Sequence, residues 1–84
     1  MIEVRFPQLG MGELEGEVVE WLVQVGANVT RGQTIAVIET GKSSVEVEAT
    51  TDGIMEVIVA PVGTTAVVGD VLGLIKSSQS PKSL

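Results

Sequence analysis

The sequence predicts an all-β domain: two four-stranded antiparallel sheets, related by an approximate two-fold axis, forming a flattened β-barrel. Three observations carry this expectation. Fifteen valines and six isoleucines stand against one phenylalanine and one tryptophan, and branching at Cβ stiffens χ1 in a way that suits a pleated surface. Ten glycines in 84 residues imply frequent turns. Third, Gly16–Glu39 lies over Gly53–Lys76 without a gap at an offset of 37, bringing Gly16, Gly26 and Gly32 onto Gly53, Gly63 and Gly69. The apolar positions follow: Val18 meets Met55, Trp21 meets Ile58, Leu22 meets Val59, Val25 meets Val62, Ile35 meets Leu72, Val37 meets Leu74, and Ile38 meets Ile75. One strand unit cannot bury its apolar face alone, but two copies can bury theirs against each other.

Each repeat reads as strand, turn, short strand, turn at Gly32 or Gly69, then strand. The expected strands are Ile2–Phe6, Glu17–Val23, Asn28–Thr30, Thr34–Glu39, Ser44–Thr50, Ile54–Val59, Ala66–Val67 and Val71–Ile75. Glu13–Val25 is the one stretch that suggests a helix, and Gly16 with its β-branched neighbours speaks against it. The last strand-forming residues precede Ser77-Ser78-Gln79-Ser80-Pro81-Lys82-Ser83-Leu84, which is small, polar and without apolar periodicity. The expected division is therefore a domain over 1–76 and a linker or flexible tail over 77–84.

Composition removes several classes of chemistry. The chain has no cysteine and no histidine, so it lacks the usual zinc ligands, a disulfide framework, and Ser-His, Cys-His or histidine acid–base catalysis. No metal site and no catalytic residue are expected. Any redox or sulfur chemistry must come from a group that the twenty amino acids do not supply. The net charge is −6, and Arg5, Arg31, Lys42, Lys76 and Lys82 are scattered. No basic stripe exists to follow a phosphate backbone, which argues against nucleic acid. No apolar run approaches the ~18 residues of a membrane span, and no secretory signal is visible. A cytoplasmic location is expected, or the mitochondrial matrix in a eukaryote. The sequon Asn28-Val29-Thr30 is accordingly expected to carry no glycan.

Between two strand patterns lies Thr40-Gly41-Lys42-Ser43. The strand after it, Val45-Glu46-Val47-Glu48-Ala49, alternates apolar and acidic residues, so one face is buried and the other wet. The connection must be a tight hairpin, for which Gly41 is suited, and Lys42 projects from its outermost point. An exposed lysine at a turn is ordinarily a solubilising charge. Without a desolvating pocket it is also a weak intrinsic nucleophile. The repeat aligns Glu39 with Lys76, so the two-fold axis should place Lys42 at the pole opposite the C-terminal tail.

The repeat, the hairpin between its halves and the residues around the lysine together resemble the lipoyl domains of 2-oxo acid dehydrogenase acyltransferases. The resemblance extends from Ile2 to Ile75. It rests on Phe6-Pro7-Gln8-Leu9-Gly10, Glu15-Gly16, Trp21, Gly26, Gly32, Ile38-Glu39-Thr40-Gly41-Lys42-Ser43, Gly53, Gly63 and Gly69. It implies a barrel-sandwich hybrid fold and a non-catalytic carrier, with lipoic acid on Lys42 as a covalent amide. Glu39, Thr40, Gly41 and Ser43 become hairpin and recognition neighbours. Implied partners are a thiamine-diphosphate-dependent 2-oxo acid decarboxylase, an acyltransferase core, dihydrolipoamide dehydrogenase, and a lipoate ligase or lipoyl transferase. The isolated domain should be monomeric. Glu39, Glu46 and Glu48 are candidates for partner specificity. Two departures stand out: most of the family has Asp where this chain has Gly41, and Met11-Gly12-Glu13-Leu14 differs from the usual run.

The nearest rival is a biotinyl carrier, which shares the fold but flanks its lysine with methionines. The lipoylated carrier of glycine cleavage is normally longer. Gly41-Lys42-Ser43 echoes a phosphate-binding loop, but position 36 is Ala36 rather than glycine and a strand pattern follows instead of a helix. Gly10-Met11-Gly12 before Gly16 has the wrong spacing for a dinucleotide fingerprint. An unmodified barrel used only for docking is the remaining alternative.

Overall fold

A computed structural model describes residues 1–8 and 14–77. Leu9-Gly10, Met11–Glu13 and the tail from residue 78 lie outside the described residues. The strands are β1 (Ile2–Arg5), β2 (Glu15–Trp21), β3 (Asn28–Val29), β4 (Thr34–Glu39), β5 (Ser44–Glu48), β6 (Gly53–Ile58), β7 (Thr65–Val67) and β8 (Val71–Ser77). They form two four-stranded sheets, β1-β8-β6-β3 and β5-β4-β2-β7, with every pairing antiparallel.

The predicted two-fold relation appears as exchanged hydrogen bonds. Gly26 N–H donates to the Met55 carbonyl at 2.7 Å, and Gly63 N–H to the Val18 carbonyl at 2.8 Å. Leu22 donates to Ile35, and its counterpart Val59 to Leu72. Gly26, Gly32, Gly63 and Gly69 all have φ between 88° and 97°, a region that L side chains rarely occupy. The repeat's recurring glycines at these positions are thus a backbone requirement.

The symmetry also relates β5 to β1. Gly32 N–H bonds the Ala49 carbonyl, as Gly69 N–H bonds that of Phe6. The first strand of the chain therefore completes the second copy. The two sheets do not join edge to edge into the continuous barrel that was expected, because β1, β3, β5 and β7 remain edge strands. Strand limits match expectation for β4 and differ by one or two residues elsewhere. β8 extends to Ser77, which pairs with Gly53, although its composition had placed it in the tail.

Between the sheets, Val18, Ile35 and Ile38 pack with their repeat partners Met55, Leu72 and Ile75, and with Val4 and Phe6. Removing such side chains from water contributes roughly 1.5–3 kcal/mol each. Trp21, whose counterpart is Ile58, breaks the symmetry. Its indole N–H donates to the Ala60 carbonyl at 2.7 Å, and its ring lies 3.3 Å from where a Cβ on Gly73 would stand. Gly73 is the counterpart of Ala36; the missing methyl makes room for the larger ring.

Candidate functional site

The hairpin between β4 and β5 is held from its own root. Thr40 is buried, and its Oγ1 accepts the N–H of Lys42 at 3.2 Å and that of Ser43 at 3.1 Å. The same hydroxyl donates to the Ser43 carbonyl at 3.0 Å, to which Thr40 N–H also donates at 2.8 Å. Ser, Thr, Asn and Asp favour such local side-chain bonds at turns. Gly41 has no left-handed φ, and a Cβ there would meet nothing within 4 Å. The turn therefore does not need the glycine that its sequence suggested; Thr40 shapes it instead.

Lys42 and its neighbours Gly41, Ser43 and Glu39 are exposed. Among the described residues the one ion pair joins Arg5 to Glu3, and none of these residues gives the Lys42 ammonium a carboxylate partner. The amine is open to an acyl donor on an incoming enzyme, and the residues present fit covalent attachment.

The topology sets this tip at one end of the molecule. A Cβ on Gly16 would lie 2.5 Å from Ile38 Cγ2 and 3.3 Å from Thr40 Cγ2, so the start of β2 abuts the base of the hairpin. Glu15 at that end pairs with Val67, from which three residues lead into Val71 at the start of β8. β8 then runs about 20 Å to Ser77 at the other end. Ile2, which pairs with Ile75, starts β1 near that end too. Lys42 and Ser77 occupy opposite poles.

Strand pairing also gathers charge. Glu17 pairs with Glu39 and Glu39 with Ser44, while Glu20 pairs with Val37 and Val37 with Glu46. The strands of this sheet carry six exposed carboxylates, Glu15, Glu17, Glu20, Glu39, Glu46 and Glu48, and no lysine or arginine. Sequence reading singled out the last three acids and missed Glu15, Glu17 and Glu20. The alternation of Glu15 and Glu17 about Gly16 and Val18 was the available signal for those two, whereas Glu20 is out of phase in the sequence and follows a register shift between Val18 and Glu20. A cleft of about 490 Å³ lies between β1 and β5, flanked by Glu3, Arg5, Glu46 and Glu48 and floored by Phe6 and Val47. It does not include the hairpin.

A two-sheet scaffold that presents one uncommitted lysine at a hairpin tip is the architecture of a carrier domain for a covalently attached group. The family described as "Biotin-requiring enzyme", the biotin/lipoyl family, matches residues 2–75, and the chain belongs to it. The chain is 39% identical over 70 residues to the dihydrolipoyllysine-residue acetyltransferase component of the pyruvate dehydrogenase complex of Staphylococcus aureus strain N315. It is 37% identical over 70 residues to that of Staphylococcus epidermidis strain ATCC 12228. Each match covers 83% of this chain and 16% of the relative, so the chain spans a small part of those proteins. The solution structure of the lipoyl domain of the 2-oxoglutarate dehydrogenase complex of Azotobacter vinelandii superimposes with a TM-score of 0.74 at 32% identity. That likeness covers 94% of this chain and all of the other.

Proposed function

We propose that this chain is a lipoyl-carrier domain, not itself an enzyme, with lipoic acid joined to Lys42 through an amide. The observation that carries the proposal is the exposed lysine on a turn whose backbone is anchored by Thr40. Amide formation replaces a charged terminus with a long flexible arm. When attached, the lipoyl group supplies the dithiolane that accepts an acyl group and two electrons, which this cysteine-free chain lacks. The protein's own part is presentation. The hairpin projects the lysine from the pole opposite Ser77.

In this reading the domain moves between a thiamine-diphosphate-dependent 2-oxo acid decarboxylase, an acyltransferase core and dihydrolipoamide dehydrogenase. A lipoate ligase or lipoyl transferase installs the group. Carriage on the same assembly as its partner sites raises the effective concentration of the group to around millimolar. The acidic face beside the tip favours partners with basic surfaces. The domain works as a monomer in the cytoplasm, or in the mitochondrial matrix of a eukaryote. The test compares reductive acylation of the lipoylated domain and of free lipoamide by 2-oxo acid decarboxylases. A decarboxylase that acylates the domain at far lower concentration than the free amide supports the shuttle. Equal use of both by every such enzyme contradicts it.

A further inference from the structure

We infer that Thr40 is a positioning residue for the modified lysine: its buried hydroxyl presets the backbone of Lys42 and Ser43 for the enzyme that attaches the group. The inference rests on the carrier reading and goes beyond it, because burial separates Thr40 from its exposed neighbours Glu39, Gly41 and Ser43. Those three can touch an incoming enzyme. Thr40 acts through the turn.

A threonine hydroxyl has one proton to give and two lone pairs to fill. All three are used within the turn: Oγ1 receives the amides of Lys42 and Ser43 and donates to the Ser43 carbonyl. Without these bonds the two amides at an exposed tip would turn to water, and Gly41, with open space around it, would impose no conformation. The γ-methyl performs a separate task. It packs toward Gly16, whose missing side chain leaves the room, and so joins the turn to the sheet. One atom of Thr40 holds the tip and another roots it.

The two tasks separate experimentally. Thr40→Val keeps the branched shape and removes the hydroxyl, whereas Thr40→Ser keeps the hydroxyl and removes the methyl. If the bonded turn is the form that a lipoate–protein ligase binds, a tip that visits it one tenth of the time binds about tenfold more weakly. Thr40→Val should therefore raise the ligase KM for the domain about tenfold with kcat unchanged, and Thr40→Ser should restore it to within about twofold of wild type. Amide hydrogen exchange at Lys42 and Ser43 should be about tenfold faster in Thr40→Val alone. Wild-type KM in the valine variant, or equal loss in the serine variant, would overturn the role of the hydroxyl. A wild-type domain that takes no lipoate overturns the carrier reading instead, and the exchange rates then decide whether Thr40 holds the tip.

Discussion

Gly26 and Met55 are joined across the two sequence repeats by a backbone hydrogen bond beside the β3–β6 pairing, and the internal two-fold returns it as the bond from Gly63 to Val18 beside the β7–β2 pairing. Both glycines have a φ of 97°, so a side chain at either meets the same backbone penalty. Gly26→Ala and Gly63→Ala should each lower stability by about 1–2 kcal/mol, and by amounts that match within ~0.5 kcal/mol. Urea unfolding of the two variants checks this. A neutral substitution at one site would show that the halves do not share the geometry.

Trp21 and Gly73 make the opposite test, since here the symmetry is broken. A methyl on Gly73 would meet Met55 Cε at 2.5 Å, the Val57 carbonyl at 2.9 Å and the Trp21 ring at 3.3 Å. Gly73→Ala should cost about 1–3 kcal/mol through overpacking. Combining it with Trp21→Ile, which installs the counterpart's smaller side chain, should recover part of the loss. Thermal unfolding of the two single variants and the double variant gives the coupling.

Gly41 stands in open space with an ordinary backbone conformation. Gly41→Asp, which restores the family's commoner residue, should leave stability unchanged within ~0.5 kcal/mol. Modification should remain on Lys42. Peptide mapping and a melting curve suffice, and a large destabilisation would mean that the turn does depend on glycine.

The six carboxylates of the β5-β4-β2-β7 sheet predict salt-sensitive association. Replacing Glu39, Glu46 and Glu48 with glutamine should weaken binding to a basic partner decarboxylase severalfold at low salt. The difference should shrink above about 0.5 M salt, where screening is short-ranged. Titration at two ionic strengths checks it. An effect unchanged by salt would place these residues in a contact other than charge.

The repeat was legible because its landmarks are backbone requirements: positive φ recurs at Gly26, Gly32, Gly63 and Gly69. Branched apolar residues between them declared the strands and the core. The equivalence of β1 and β5 was hidden, since Val4-Arg5-Phe6 and Val47-Glu48-Ala49 share only their buried valine and the order along the chain is permuted. Lys42 stood out through its neighbours and its place between the halves. Thr40 was read as a recognition neighbour because local sequence marks a turn without saying which side chain faces inward. The acidic face needed strand register, which sets Glu17 beside Glu39 and brings Glu20 within one strand of Glu46.

Lys42 alone should receive a lipoyl group. Intact-mass and peptide mass spectrometry after incubation with a lipoate–protein ligase, ATP and lipoate tests it directly, with Lys42→Ala alongside and a biotin ligase with biotin in a parallel reaction. A single lipoyl adduct is expected on the peptide containing Lys42, with none on the variant and no biotin. An unmodified wild-type domain that is folded by circular dichroism, an adduct that survives Lys42→Ala, or biotin in place of lipoate would contradict lipoylation at Lys42.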